Sequence, residues 1–256
     1  MIYDLQKASF WKRASAFLFD MVIMLVVVVG IATLMSMALN YGMHFDHMEN
    51  EKDVEKQKIE AEYGCELDLS VGYEQMSDQQ KEMYNKLDEA ISKNDTIQAA
   101  LFLLLNYSLV ICIVSLFAAY AILEFAIPMI FGNGQTLGKK LFSIGVIRTN
   151  TVKASPFVLF VRMLFGKFTI ETVLPAFVVI MMFFGIIGMI GPIVILGLLV
   201  LEIVAMLSTR TRSTIHDLVS DTCVVDMSTQ MIFENEQALL DYKKKLHEEE
   251  VSRSPY

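Results

Sequence analysis

The chain contains none of the short patterns that usually carry catalysis or nucleotide binding: no P-loop, HExxH, GxSxG or CxxC occurs in its 256 residues. Without a nucleophile-and-base pair or a metal-ligand signature, no enzyme activity and no cofactor are expected. Cysteine is scarce. Cys65, Cys112 and Cys223 fall in three separate segments, so no structural disulfide is expected. Gly132-Asn133-Gly134 is a turn signal after an apolar run and not a phosphate cradle. The basic residues lack aromatic interleaving, which argues against nucleic-acid binding.

What the chain has in excess is apolar sequence. Hydrophobic residues make up 54% and the mean hydropathy is +0.48, beyond an ordinary soluble domain. Phe17–Leu39 carries one charge, Asp20; Ala99–Phe131 carries one, Glu124; Phe168–Leu207 carries two, Glu171 and Glu202. A membrane span needs ~20 apolar residues, so the last run holds two spans around a Gly188–Pro192 break. Four spans follow, at about 14–39, 99–130, 168–187 and 192–208. The first run is too long for a signal-peptide core and lacks a cleavage site, so it reads as a retained helix anchored by Trp11. The seventeen methionines lie mostly in these runs, where packing accounts for them.

Charge sets the orientation. Lys7, Lys12, Arg13, Lys139, Lys140, Arg148, Lys153, Arg162, Lys167, Arg210 and Arg212 all fall on one side if the N-terminus is cytoplasmic. The connection 40–98 holds 15 acidic residues, six lysines and no arginine, a net of −9 against −8 for the whole chain. The positive-inside rule therefore puts both termini in the cytoplasm and the acidic connection outside. That connection is expected to be helical: Ser77 and Gln80 form a capping-box pattern ahead of Met83, Tyr84, Leu87, Ala90 and Ile91 at helical spacing. Glu49–Tyr63, with Val54 and Ile59 on one side, should make the other arm of a helical hairpin over the outer ends of the spans. Residues 230–250 read as a polar helix, and 251–256 as frayed.

An internal match recurs at an offset of 78. It carries Leu123 onto Leu201, Glu124 onto Glu202, Thr136 onto Thr214 and Val146 onto Val224. Each half opens with an arginine, Arg13 or Arg162, and contains two spans, so the halves are expected to be parallel repeats. Ser143–Thr149 and Asp221–Met227 are β-prone and should pair in a small cytoplasmic ribbon, braced by 134–142 and 211–220. The fold expected is an all-α membrane protein of four transmembrane helices in two parallel two-helix repeats, with that ribbon and the extracellular helical loop. Its parts are a membrane domain over 8–226, the acidic insertion 40–98 and a polar cytoplasmic tail 227–256.

Charges at bilayer depth are expensive and seldom lack a partner or a role. Asp20, two turns beyond Arg13, reads either as a proton- or cation-binding carboxylate or as a structural ion pair with a basic residue of another helix. Glu124 and Glu202 either face each other and share a proton or pair with Arg13 and Arg162, and pairing is favoured for at least one. Glu171 follows Lys167 at i+4 and reads as a local surface pair. Asp217 either joins Arg210 and Arg212 or caps a helix, whereas His216 is expected to be exposed. His44 and His47, near Asp46 and Glu49, have metal-like spacing, but spacing alone lacks geometry.

On these residues the chain resembles the RDD family of bacterial membrane proteins. Trp11-Lys12-Arg13…Asp20 matches the family's arginine and first aspartate. Gly134-Gln135-Thr136-Leu137-Gly138-Lys139-Lys140-Leu141…Val146 is similar to its most recognisable segment. Arg162 matches the arginine before the later spans, and Thr214-Ile215-His216-Asp217-Leu218…Val224-Val225 matches the second aspartate in its setting. The match covers about 8–226 apart from 40–98, a long acidic loop that departs from the family pattern. Some members have been associated with sodium–proton antiport, and many are only called transporter-like. The resemblance thus implies a multi-pass protein of the bacterial cell membrane. The leading expectation is a proton-coupled exchanger of a monovalent cation or small solute. Its charge cluster would be Arg13, Asp20, Glu124, Arg162, Glu202 and Asp217, with Gln135, Thr136, Gly138, Lys139 and His216 as family motif. The competing expectation is a non-transporting scaffold whose outer loop binds a membrane or extracellular protein partner. A homo-oligomer is compatible with either.

Overall fold

A computed structural model describes residues 4–253, which are mostly helical, with four helices long and apolar enough to cross a membrane and a two-stranded sheet. The apolar helices are α1 (Phe10–Ala38), α4 (Asp95–Phe131), α6 (Pro156–Phe183) and α7 (Ile190–Ser208). Between and after them come α2 (Tyr41–Tyr63), α3 (Asp78–Lys93), α5 (Leu137–Leu141), β1 (Ile144–Arg148), α8 (Ile215–Val219), β2 (Thr222–Asp226) and α9 (Glu236–Arg253). The chain divides into two compact units, Val28–Leu116 and the remainder, and passes between them within α1 and α4.

The unit Val28–Leu116 contains a helical hairpin. Gly64, at φ 64°, ends α2 with its N–H on the Glu60 carbonyl at 2.8 Å, a left-handed cap that glycine adopts without Cβ strain. Ser77 caps α3, its hydroxyl accepting from the Gln80 N–H at 3.3 Å. Ile59, Leu67, Met83 and Leu87 form the hairpin's own core. Val54 is exposed, so the apolar stripe expected along α2 is narrower than read. The helix also starts at Tyr41, well before Glu49. Tertiary contacts extend it: the Tyr41 hydroxyl meets Ser108 at 3.1 Å, and His44 lies edge-on to Tyr107.

In the other unit, α6 starts at Pro156 rather than near 168. Ser155 caps it, with Pro156 in its first turn. Its stretch Arg162–Val173 is π-helical, as is Ala121–Ala126 within α4. The Thr169 and Thr172 hydroxyls bond the carbonyls five residues back, at 2.8 and 2.9 Å. Wider turns of this kind often mark functional segments, and these two carry Glu124, Arg162, Lys167 and Glu171. The turn between α6 and α7 uses Gly185 and Gly188, both at positive φ.

β1 and β2 pair antiparallel with Val146 opposite Val224. Each strand is shorter than expected because Ser143 and Asp221 take left-handed conformations, φ 54° and 51°. The ribbon is braced on one side by the N-terminal segment: the Ala8 N–H reaches the Val224 carbonyl and the Asp226 N–H the Gln6 carbonyl. Below it lies a core of Ala8, Ala16, Ile144, Val146, Leu159 and Val224. The offset of 78 carries α5 onto α8, β1 onto β2, Ser143 onto Asp221 and Gly134 onto Arg212, the latter two at φ 60° and 52°. α9 begins at Glu236 and continues through 251–253 as helix, where fraying was expected; residues 254–256 lie outside the described residues. Its Leu239 packs with Val152 and Phe233. All three cysteines are free thiols.

Candidate functional site: a buried charge cluster

Asp217, in the third position of α8, is fully buried. Its Oδ1 accepts from Arg162 Nε at 3.1 Å and lies 3.0 Å from Nη2, and Thr222 donates to it at 3.3 Å. Its Oδ2 accepts from Arg13 at 3.2 Å and from the Thr214 hydroxyl at 3.0 Å. Burial alone would raise this carboxyl's pKa, but the charges of Arg162, then His216 and Arg13, hold it far below the usual carboxylate range. Asp217 therefore stays ionised and serves as an anchor. Its arginines come from α6 and α1 rather than from Arg210 and Arg212. Arg212 contributes only its carbonyl, which accepts from Arg13 at 2.5 Å.

Arg162 reaches a second carboxylate, Glu124, at 3.8 Å from Oε2. Glu124 Oε1 accepts from Lys167, and Lys139 Nζ stands 3.8 Å from Oε2. The pairing expected for Glu124 is thus present, although its cations are Lys167, Arg162 and Lys139 rather than Arg13. Neither Glu124 Oε2 nor Lys139 Nζ has a hydrogen-bond partner. Burial pushes the Lys139 ammonium down to about 7; Lys167 and Arg162 push the same way, while Glu124 and Asp20 oppose. Lys139 consequently titrates near neutrality inside the protein.

Asp20 makes no ion pair among the described residues. Its Oδ2 accepts from Thr136 at 2.5 Å and its Oδ1 from the Gly138 N–H at 2.7 Å. Both expectations for Asp20 give way to a third: it satisfies the free N–H groups at the start of α5, where a carboxylate is favoured. This needs Gly138, because a Cβ there would collide with the Ala16 carbonyl and crowd Asp20. The other motif residues also have local tasks. Gln135 donates to the Ile144 carbonyl at 2.8 Å, and Thr136 caps α5 by accepting from the Lys139 N–H at 3.3 Å.

The remaining pairings differ from expectation. Lys167 does not pair with Glu171, because the buried Glu124 competes more strongly than an exposed neighbour. Glu171 instead contacts His216 Nδ1. His216 is largely enclosed, where exposure was expected: Gly166 lets the α8 backbone come against α6 so closely that a Cβ would strike His216. Burial, then the charge of Arg162, holds the imidazole well below its usual pKa, so it is neutral. Glu202 does not pair with an arginine; its Oε2 accepts from the Ile215 N–H at 3.4 Å. Among the described residues, one group of three carboxylate or histidine side chains comes within ligand reach of one another: Glu171, Glu202 and His216. His44 and His47 belong to no such group. Lys167 and Glu171 escaped notice as site residues, although Arg162, Lys167 and Glu171 recur every four to five residues. That spacing places them on one face of a π-helix with its i→i+5 bonding.

These groups border a cavity of about 470 Å³, lined among others by Arg13, Asp20, Glu124, Lys139, Glu171 and His216. A helical membrane body with a charge cluster sheltered between its apolar helices defines an integral membrane protein whose polar centre is enclosed. The RDD family model matches residues 7–221, and the chain belongs to the RDD family. No curated protein and no solved structure matches it.

Proposed function

We propose that this protein is a proton-coupled exchanger of a monovalent cation in the bacterial cell membrane, with both termini cytoplasmic and two parallel two-helix repeats. The observation that carries this reading is Lys139. It is a buried amine titrating near neutrality, with no hydrogen-bond partner, on the wall of a cavity it shares with carboxylates. Around that cavity stand five carboxylates, Asp20, Glu124, Glu171, Glu202 and Asp217, against four cations, Arg13, Lys139, Arg162 and Lys167. Loss of the Lys139 proton deepens the negative excess by one charge, which favours entry of one cation; return of the proton expels it. In an enclosed site of low dielectric, such charge exchange is strongly coupled. The recurrence of α5–β1 as α8–β2 supports the repeat, since it places Lys139 and Asp217 at equivalent positions with opposite charge.

Reconstituted vesicles test this. Imposing a Na⁺ or K⁺ gradient should drive a change of internal pH, and Lys139→Met should lose it. Wild-type protein that gives no cation-dependent pH change, or Lys139→Met with an unaltered rate, would overturn the reading. A scaffold is the second reading, favoured by the self-contained core of the α2–α3 hairpin, which exchange does not require. Pull-down with 40–98 removed decides that case: loss of a stoichiometric partner from a folded protein supports it.

A further inference from the structure

The exchange mechanism leaves Glu171, Glu202 and His216 without a task. One oxygen of each glutamate and one imidazole nitrogen lie within 4.8 Å of one another. They come from α6, α7 and α8, so the tertiary fold alone assembles them. Two carboxylates this close repel unless a proton or a cation lies between them. Glu202 Oε1 is enclosed and receives no hydrogen bond from any group of the protein. The histidine carries a second imbalance. Thr214 Oγ1 is 3.0 Å from Asp217 Oδ2 and 3.0 Å from His216 Nε2, while His216 Nδ1 touches Glu171. A neutral imidazole and one hydroxyl supply two protons to these three contacts. If the hydroxyl serves Asp217, and Nε2–H donates to Thr214, then Nδ1 turns a lone pair towards the glutamates. An orphaned carboxylate oxygen, a close carboxylate pair and an inward imidazole lone pair all ask for the same thing, a small multivalent cation.

We propose that Glu171, Glu202 and His216 form a binding site for one divalent first-row transition-metal ion, of the Zn²⁺ or Mn²⁺ kind. One imidazole nitrogen with two carboxylates is a borderline-hard donor set that suits these ions better than a thiolate-seeking or an alkali ion. Thr214 and Ile215 act from behind the ligands, the first by setting the imidazole tautomer, the second by holding Glu202 through its N–H. Glu171 and His216 also line the cavity, which gives the ion a way in. The site is independent of exchange at Lys139, so either can fail without the other.

The full chain in detergent, stripped with chelator, would be titrated with Zn²⁺ by calorimetry and with Co²⁺ by visible absorption. Neither needs a gradient. We expect one ion per chain, ligand-field bands for bound Co²⁺, and at least tenfold weaker binding in Glu202→Gln and Glu171→Gln. His216→Gln should alter the Co²⁺ bands, and a His44→Asn/His47→Asn variant should bind as wild type. Thermal unfolding of each metal-free variant shows that it is folded; one that is not is replaced by Glu202→Asp, for which weakened binding is again expected. The inference is overturned by absence of saturable binding, as a shared proton between the glutamates would give. It is equally overturned by tenfold-unaffected binding in the glutamine variants or by loss of binding in the His44/His47 variant.

Discussion

Replacing Asp217 by Asn tests whether the cluster is held by one ionised carboxylate. The two side chains have the same shape, so the change is one of charge and of lone pairs. Asp217 accepts on Oδ1 from Arg162 and Thr222 and on Oδ2 from Arg13 and Thr214. An amide must turn its NH₂ towards one of these pairs, so one arginine faces a donor whichever way it rotates. Breaking a buried ion pair from one side typically costs about 3–5 kcal/mol, because the stranded charge stays desolvated. Here the lower end applies. The amide oxygen still serves one arginine, and Arg162 keeps Glu124 at 3.8 Å. A loss of about 3 kcal/mol, at roughly 2–4 °C per kcal/mol for a chain of this size, lowers the unfolding midpoint by about 6–12 °C. The assay is thermal unfolding of the detergent-solubilised protein. In a double-mutant cycle, coupling of Asp217 to Arg162 should exceed its coupling to Arg13, since Arg162 makes two contacts and is the more deeply buried. An Asp217→Asn midpoint within 2 °C of wild type would refute the argument.

Three further outcomes follow from the same geometry. Lys139 has a folded-state pKa of about 7 against an ordinary 10.5, so the unfolded chain holds the extra proton between those values; the stability of wild type relative to Lys139→Met should rise as pH goes from 7 to 10, and be lowest below 7, in paired melts. Gly138→Ala should lower stability by roughly 1–3 kcal/mol, because the new methyl meets the Ala16 carbonyl and Asp20; denaturant unfolding measures this, and a neutral effect would show that α5 does not dock there. Asp20→Asn, which keeps an acceptor for the Gly138 N–H, should stay within about 1 kcal/mol of wild type and retain exchange, whereas Asp20→Leu should cost about 1–3 kcal/mol by stranding a buried N–H; equal melts for the two variants would contradict the capping role.

How far the sequence disclosed this arrangement depends on whether a feature is local or long-range. Apolar runs disclose the four long helices, because length and hydropathy need no tertiary information. The ribbon is legible too: both strands are β-branched, and the match at 78 residues aligns Val146 with Val224, which face each other in the ladder. Residue identity also marked Arg13, Asp20, Arg162 and Asp217 as unusual. Their pairing was another matter. Asp20 was read as an ion or proton carrier because a lone carboxylate in an apolar run has no visible partner; its partner is a backbone N–H more than a hundred residues away, and backbone groups have no sequence signature. Lys167 and Glu171 were assigned to each other by α-helical spacing, which the π-helical turns around them replace. The halves diverge where their chemistry does. Gly138 leaves space for Asp20 at the position where His216 fills it with an imidazole against Glu171, and Lys139 puts a cation where Asp217 puts an anion. A duplicated scaffold with opposite charges at equivalent positions can keep one half fixed while the other titrates. Asp217, clamped by two arginines, is the fixed half, and Lys139, unpartnered and near neutrality, is the half free to change.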